Sequence, residues 1–167
     1  MIAFANGATQ FFAPTHLLVI FALGLLSGQQ ALRLLIPIAT LAIGLAVGSL
    51  VVASAIRENP AAPALLVLAA TAAGLAIVDR PLPSWTAAGL ALAIGATLAL
   101  NAPPQEFTIH AAIVAQLGFA LTALLTFALA TLVARQAKLP WQRIGARIVA
   151  SWIAASAILV LALRLAR

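Results

Sequence analysis

Six long apolar runs make up most of the chain, and they constrain its fold more than any other feature. Each is long enough for a helix that crosses a bilayer, which takes about 20 residues, and each is bounded by charges, prolines or both. The runs are continuous and rich in Ala and Leu rather than alternating, which favours helices over strands. The predicted spans are 11–28, 34–56, 62–78, 84–100, 107–134 and 144–163.

The composition indicates that lipid, not water, surrounds these helices. Of the 167 residues 65% are apolar, and only nine Lys/Arg and three Asp/Glu carry charge. A soluble domain is about 45–50% apolar and about 25% charged, so this chain has too little polar material to cover a water-facing surface. We therefore predict an all-α integral membrane protein, a single polytopic domain over 1–167, built as one bundle of about six transmembrane helices with short loops.

The basic residues are better explained by membrane topology than by nucleic acid. A net charge of +6 would suit nucleic acid, but the cations are divided among the loops, so we expect the lipid bilayer as partner and no nucleic acid. Short cytoplasmic loops carry excess Lys and Arg. With the N-terminus outside, the inner side has six cations and the outer side three (Arg33, Arg80, Arg135, Lys138, Arg143 and Arg147 against Arg57, Arg164 and Arg167).

Small residues at four-residue spacing offer two interpretations. Gly24 and Gly28 form one such pair and Gly44 and Gly48 another, and pairs of this kind let helix backbones approach closely in a membrane. They could form a homo-oligomer interface. They could equally pack the helices within one bundle, which is the simpler interpretation because a six-helix chain must first pack its own helices.

Ionisable groups inside a span are costly in hydrocarbon and therefore indicate function, and here they are few. No Asp or Glu lies in the middle of a span, no Cys occurs, and no nucleophile lies beside a credible base; we expect neither an enzyme nor a cofactor. His16, Glu106 and His110 are predicted to lie at one end of the bundle. Two imidazoles and a carboxylate suit a divalent ion such as nickel or zinc. Alternatively, each histidine is an interfacial residue bonded to a backbone carbonyl or water.

The order of features resembles the HupE/UreJ family, small bacterial membrane proteins that accompany hydrogenase or urease and are regarded as nickel or cobalt permeases. Phe11 to Leu18, followed by Phe21 to Leu25, is similar to the first helix of that family, and Pro81-Leu82-Pro83 and Gly118 to Leu125 match later features. The resemblance implies a permease in the bacterial inner (cytoplasmic) membrane, with Ni²⁺ or Co²⁺ as transported cargo.

The chain departs from the family at most of its metal ligands. Only His16 of the first-helix motif is kept: Thr15 replaces an aspartate, and Thr9-Gln10 stands where His-Pro is expected. Thr126 replaces a histidine of the fifth helix, and no histidine cluster ends the fourth. Two functions therefore remain: a permease for a divalent metal or another small solute, or a non-transporting membrane scaffold or accessory subunit that has lost the ligands.

Overall fold

A computed structural model describes residues 2–30, 35–53, 61–78, 82–103 and 108–166, and within these ranges every regular element is a helix. An all-α membrane bundle is therefore confirmed. The helices are α1 (Ile2–Gln10), α2 (Pro14–Gln29), α3 (Leu35–Ala53), α4 (Ala61–Val78), α5 (Ser84–Asn101), α6 (Ile109–Arg135) and α7 (Pro140–Leu165).

Several of these helices are long and apolar enough to cross a membrane, which makes the chain a multi-pass membrane protein. By length and composition α3, α5, α6 and α7 qualify alone, whereas α1 and α2 qualify only as a pair bent by 70°. The shorter α4 is also apolar, over Ala62–Val78. The six longer helices coincide with the six predicted spans, with the largest difference at the start of α7, predicted at 144 and observed at Pro140.

Local sequence explains where the helices begin. Proline is the first residue of both α2 and α7, a position where its missing N–H costs nothing and its fixed φ suits a helix. The backbone N–H of Leu139 is bonded by the Gln142 side chain at 3.1 Å. Thr108 caps α6, because its hydroxyl accepts the backbone N–H of Ala111.

Helix α1 was not predicted, since the first span was expected to start at residue 11. It packs against α6 at backbone distance: a Cβ added to Gly7 would collide with the Ala115 backbone, and one added to Gly118 would collide with the Phe4 backbone. The chain then turns through 11–13 before α2 begins. The amino-terminal segment is thus a short helix held on the bundle and not an extension of the first span.

Two long-range hydrogen bonds define which helix ends lie together. His16 at the start of α2 is 3.0 Å from Asn101 at the end of α5, and this side of the bundle is called the His16 end. Gln30, just after α2, accepts the backbone N–H of Leu82, just before α5, at 2.9 Å. That opposite side, where α6 also ends and α7 begins, is called the Arg135 end. Helices α2 and α5 are therefore antiparallel.

The paired glycines contact neighbouring helices of the same chain. In α2, Gly24 faces Ala130 of α6, and Gly28 faces Ala134 one turn further on. The structure thus gives these positions the internal packing role that was one of the two interpretations. A contact between two copies through the same face would require α2 and α6 to separate.

The seam between α3 and α5 is built in the same way, by Gly44 and Gly48 on one side and Gly95 on the other. Their added Cβ atoms would meet backbone atoms of Leu92, Ala96 and Leu41, respectively. Contacts with backbone cannot be relieved by rotating a side chain. The homo-oligomer predicted through Gly44 and Gly48 would likewise have to displace α5 from α3.

The α3–α5 seam can be tested with two glycines of one helix. Gly95→Ala places a methyl group 2.9 Å from the backbone nitrogen of Leu45, whereas a Cβ at Gly89 meets no described atom within 4 Å. We expect Gly95→Ala to lower the free energy of unfolding by about 1–3 kcal/mol through overpacking. Gly89→Ala should leave it unchanged or raise it by up to about 1 kcal/mol, because helical Gly is entropically costly. Unfolding in mild detergent measures both, and equal effects would contradict this seam.

Candidate functional site

His16 is buried at the start of α2, with only 3% of its surface exposed. Its ring packs against Phe11 at 6.4 Å between centroids and meets the edge of Phe119 at 5.5 Å. Phe11 and Phe119 also contact each other. Phe11 lies in the turn between α1 and α2, and Phe119 lies in α6. Together their rings form an apolar wall beside the His16 imidazole.

The Asn101 side chain is the hydrogen-bond partner of this imidazole, with 3.0 Å between its amide nitrogen and Nε2 of His16. Two arrangements satisfy the contact: the amide donates to Nε2, or the amide is rotated and its oxygen accepts the proton of Nε2. In the second arrangement the other ring nitrogen, Nδ1, has a free lone pair. Partners of this kind fix the tautomer and direction of metal-binding histidines.

The second ring nitrogen of His16 is buried, and no atom of the described residues completes a hydrogen bond to it. The backbone carbonyls of Gln10 and Phe11 lie nearby, at the end of α1. A helix carboxyl end carries partial negative charge on its unpaired carbonyls. The site therefore combines one imidazole nitrogen with electron-rich carbonyls, a set that attracts a proton or a metal cation rather than an anion.

The break between α1 and α2 positions these groups. The carbonyls of Thr9 and Gln10 accept the backbone N–H groups of Phe12 and Ala13 as α1 ends, and Ala13 accepts from His16 as α2 begins. Gln10 also reaches across the bundle, where its amide donates to the Pro103 carbonyl at 3.2 Å. The turn is thus tied both to itself and to the end of α5, which keeps His16 opposite Asn101.

No family model, curated protein or solved structure matches the chain.

The three predicted metal ligands have different positions. His16 is buried, whereas His110 is exposed on the first turn of α6 and Glu106 lies outside the described residues. In the part of the chain that the structure describes, no three His, Cys, Asp or Glu side chains come together. A shared ion held by His16, Glu106 and His110 stays a prediction.

Asn101 was not identified from the sequence as the partner of the His16 ring. Phe11 and Phe119 were also missed as the walls of that ring. Asn101 could have been found from its position, because it is the last residue of an apolar helix and a polar group there needs a partner. Phe119 carries no such signal, since any large residue of α6 could have faced inward.

The His16–Asn101 contact can be measured with a double-mutant cycle. We expect His16→Ala and Asn101→Ala to be coupled by about 0.5–1.5 kcal/mol in the free energy of unfolding, which is the range of side-chain hydrogen bonds between membrane helices. His110→Ala is the matched control, because it removes an exposed imidazole at the same end of the bundle.

The effects of His110→Ala and Asn101→Ala on the free energy of unfolding should be additive to within about 0.5 kcal/mol. Unfolding in detergent, followed by far-UV circular dichroism, gives all the values. Coupling as small for His16 as for His110 would show that the hydrogen bond does not form in solution.

Proposed function

We propose that the protein is a multi-pass permease of the bacterial inner membrane that carries a divalent metal cation, nickel or cobalt, or another small solute. The observation that carries the proposal is the buried imidazole of His16, whose Nδ1 has no hydrogen-bond partner among the described residues and lies beside the break between α1 and α2. An ionisable group buried inside a membrane bundle is expensive to keep and is usually kept for function.

The broken helix supports transport rather than a purely structural role. Non-helical backbone at membrane depth is tolerated only where protein covers it or where it lines a cavity. Transporters use such discontinuous helices to direct free carbonyls and helix ends at a substrate ion. The turn at 11–13 directs the end of α1 toward His16, which gives the proposed site both of these features.

The donor set favours a cation of intermediate softness. Imidazole nitrogen suits Ni²⁺, Zn²⁺ and Cu²⁺, and carbonyl oxygen accepts harder ions. One imidazole with carbonyls binds weakly compared with a three-histidine site, which suits cargo that must be released. The resemblance to the HupE/UreJ family supports nickel or cobalt among these ions. His110 and Glu106 are proposed as further ligands along the same route.

The alternative is a non-transporting scaffold or accessory subunit that keeps the fold. The rings of Phe11 and Phe119 pack against the His16 ring, and they carry no atom that could bind a metal. This arrangement favours the scaffold. The two functions are distinguished by flux: a scaffold would be stabilised by a partner protein and would not move an ion.

The orientation proposed for this permease places the N-terminus outside. The Arg135 end then faces the cytoplasm, where Lys and Arg are favoured in short loops, and the His16 end faces the outer side. Entry of cargo from outside would therefore reach His16 early in its path.

Transport is tested in proteoliposomes that enclose a metal-sensitive dye. We expect the wild-type protein to admit Ni²⁺ or Co²⁺, and His16→Ala to reduce the initial rate at least about tenfold, because the buried nitrogen ligand is lost. Asn101→Ala should reduce it less, since it only orients the ring. Equal rates for the wild-type protein and His16→Ala would remove the metal role.

Two controls separate loss of the site from loss of the fold. His16→Ala and Asn101→Ala are compared with Gly95→Ala, which disturbs packing at the α3–α5 seam without touching His16. The transport rates of His110→Ala and Glu106→Gln are then measured. Slower transport would indicate that these residues lie on the same route as His16. If Gly95→Ala slows transport as much as His16→Ala, then the effect belongs to the bundle and not to the imidazole.

The orientation can be tested with single cysteines because the chain has none of its own. Ile109 at the His16 end is 83% exposed, and Gln136 is exposed at the Arg135 end. In intact bacterial cells with a permeabilised outer membrane, a membrane-impermeant maleimide should label Ile109→Cys. It should label Gln136→Cys only after the inner membrane is opened. The reverse pattern would invert the topology, and equal labelling would contradict the opposition of the two ends.

A further inference from the structure

A pocket at the Arg135 end is lined by three basic side chains. It has a volume of about 140 Å³ and lies between the ends of α2 and α6 and the start of α7. Arg135, Lys138 and Arg143 line it, together with the side chain of Gln29. The space is several times that of one water molecule, which occupies about 30 Å³. It is therefore large enough to hold a small anionic group.

The described charged side chains that line this pocket are all basic. Lys138 and Arg143 are exposed and Arg135 is half-buried. The amide oxygen of Gln29 is buried without a hydrogen-bond partner in the described parts of the chain. The three acidic residues of the chain, Glu58, Asp79 and Glu106, lie outside the described ranges.

These side chains suit a phosphate group better than a carboxylate. Arginine forms paired hydrogen bonds with two phosphate oxygens, and lysine adds a point charge. The two exposed cations, Lys138 and Arg143, can neutralise a phosphate that carries one or two negative charges.

The position of the pocket indicates where that phosphate would come from. It lies where the apolar helices α2 and α6 end and α7 begins, and the ends of membrane-spanning helices are expected near the lipid headgroups. The neighbouring Trp141 is 66% exposed, and exposed tryptophans at helix ends are typical of the membrane interface. Basic pockets between helices at the cytoplasmic side of membranes bind anionic headgroups.

We propose that the pocket of Gln29, Arg135, Lys138 and Arg143 is a phosphate-binding site at the membrane surface, and that an anionic phospholipid supplies the phosphate. Nothing in the proposed transport function requires this site. Its occupant would bridge α2, α6 and α7 and so stabilise the bundle at this end.

The test measures the binding of phosphatidylglycerol, phosphatidylcholine or inorganic phosphate to the detergent-solubilised full chain. Native mass spectrometry reports retained lipid, and thermal unfolding reports stabilisation. We expect phosphatidylglycerol to bind about 25-fold more tightly than phosphatidylcholine, about fivefold for each of Lys138 and Arg143. Arg143→Gln should weaken that preference by about fivefold, which is the effect expected for one cation near an anionic headgroup. The double variant Lys138→Gln/Arg143→Gln should abolish it.

Arg164→Gln is the matched control, because it removes the same charge from the same helix at its opposite end. It should leave the preference for phosphatidylglycerol unchanged. Stabilisation by inorganic phosphate that is lost in Arg143→Gln but not in Arg164→Gln would support the site with a soluble phosphate as its source. Equal effects of Arg143→Gln and Arg164→Gln, or no response to either phosphate, would overturn the proposal. Arg143→Lys keeps the charge and should retain most of the binding.

Discussion

Hydrocarbon offers no hydrogen bonds to a polypeptide backbone, and the architecture follows from that deficit. Helices satisfy their backbone groups internally, so all the described regular structure is helical. An interruption is tolerated only where protein replaces water. The turn at 11–13 meets this condition, because Phe12, Ala13 and His16 all donate backbone bonds to nearby carbonyls and Gln10 bonds Pro103 across the bundle. The same turn brings the buried His16 imidazole beside the backbone carbonyls at the end of α1.

Close approach of small residues fixes the position of these helices. Leucine side chains gain little by leaving lipid, so packing in a membrane depends on contact distance. Gly24 and Gly28 allow α2 to touch α6, and Gly44, Gly48 and Gly95 do the same for α3 and α5. Large side chains on the other faces of α6 remain exposed, as lipid requires: Leu117, Leu121, Leu125, Leu129 and Leu132. The small face thus determines which side of each helix is internal.

The sequence was sufficient to predict the class of fold and the six long helices, because continuous apolar length is a property of single segments. It was insufficient for α1, whose nine residues are too short for a span and are recognised only by their contact with α6. The same distinction between local and long-range information applies to the candidate site. His16 could be singled out as a rare ionisable group, but its pairing with Asn101 joins residues 85 positions apart. That pairing depends on how the helices pack, which no local pattern encodes.

The two described sites differ in electrostatic character, and this difference would limit a route for a cation between them. At the His16 end an imidazole nitrogen and helix-end carbonyls are electron-rich, whereas the described lining of the pocket at the Arg135 end is basic. A divalent ion leaving His16 along α2 and α6 would be repelled at that pocket by about 2 kcal/mol per cation at 4 Å in bulk water, and by more near protein. An anionic phosphate bound there would reduce that repulsion by cancelling part of the positive charge. If the protein carries a cation along this route, as proposed, phosphate binding at the basic end would favour its passage through charge alone, without any movement of the helices.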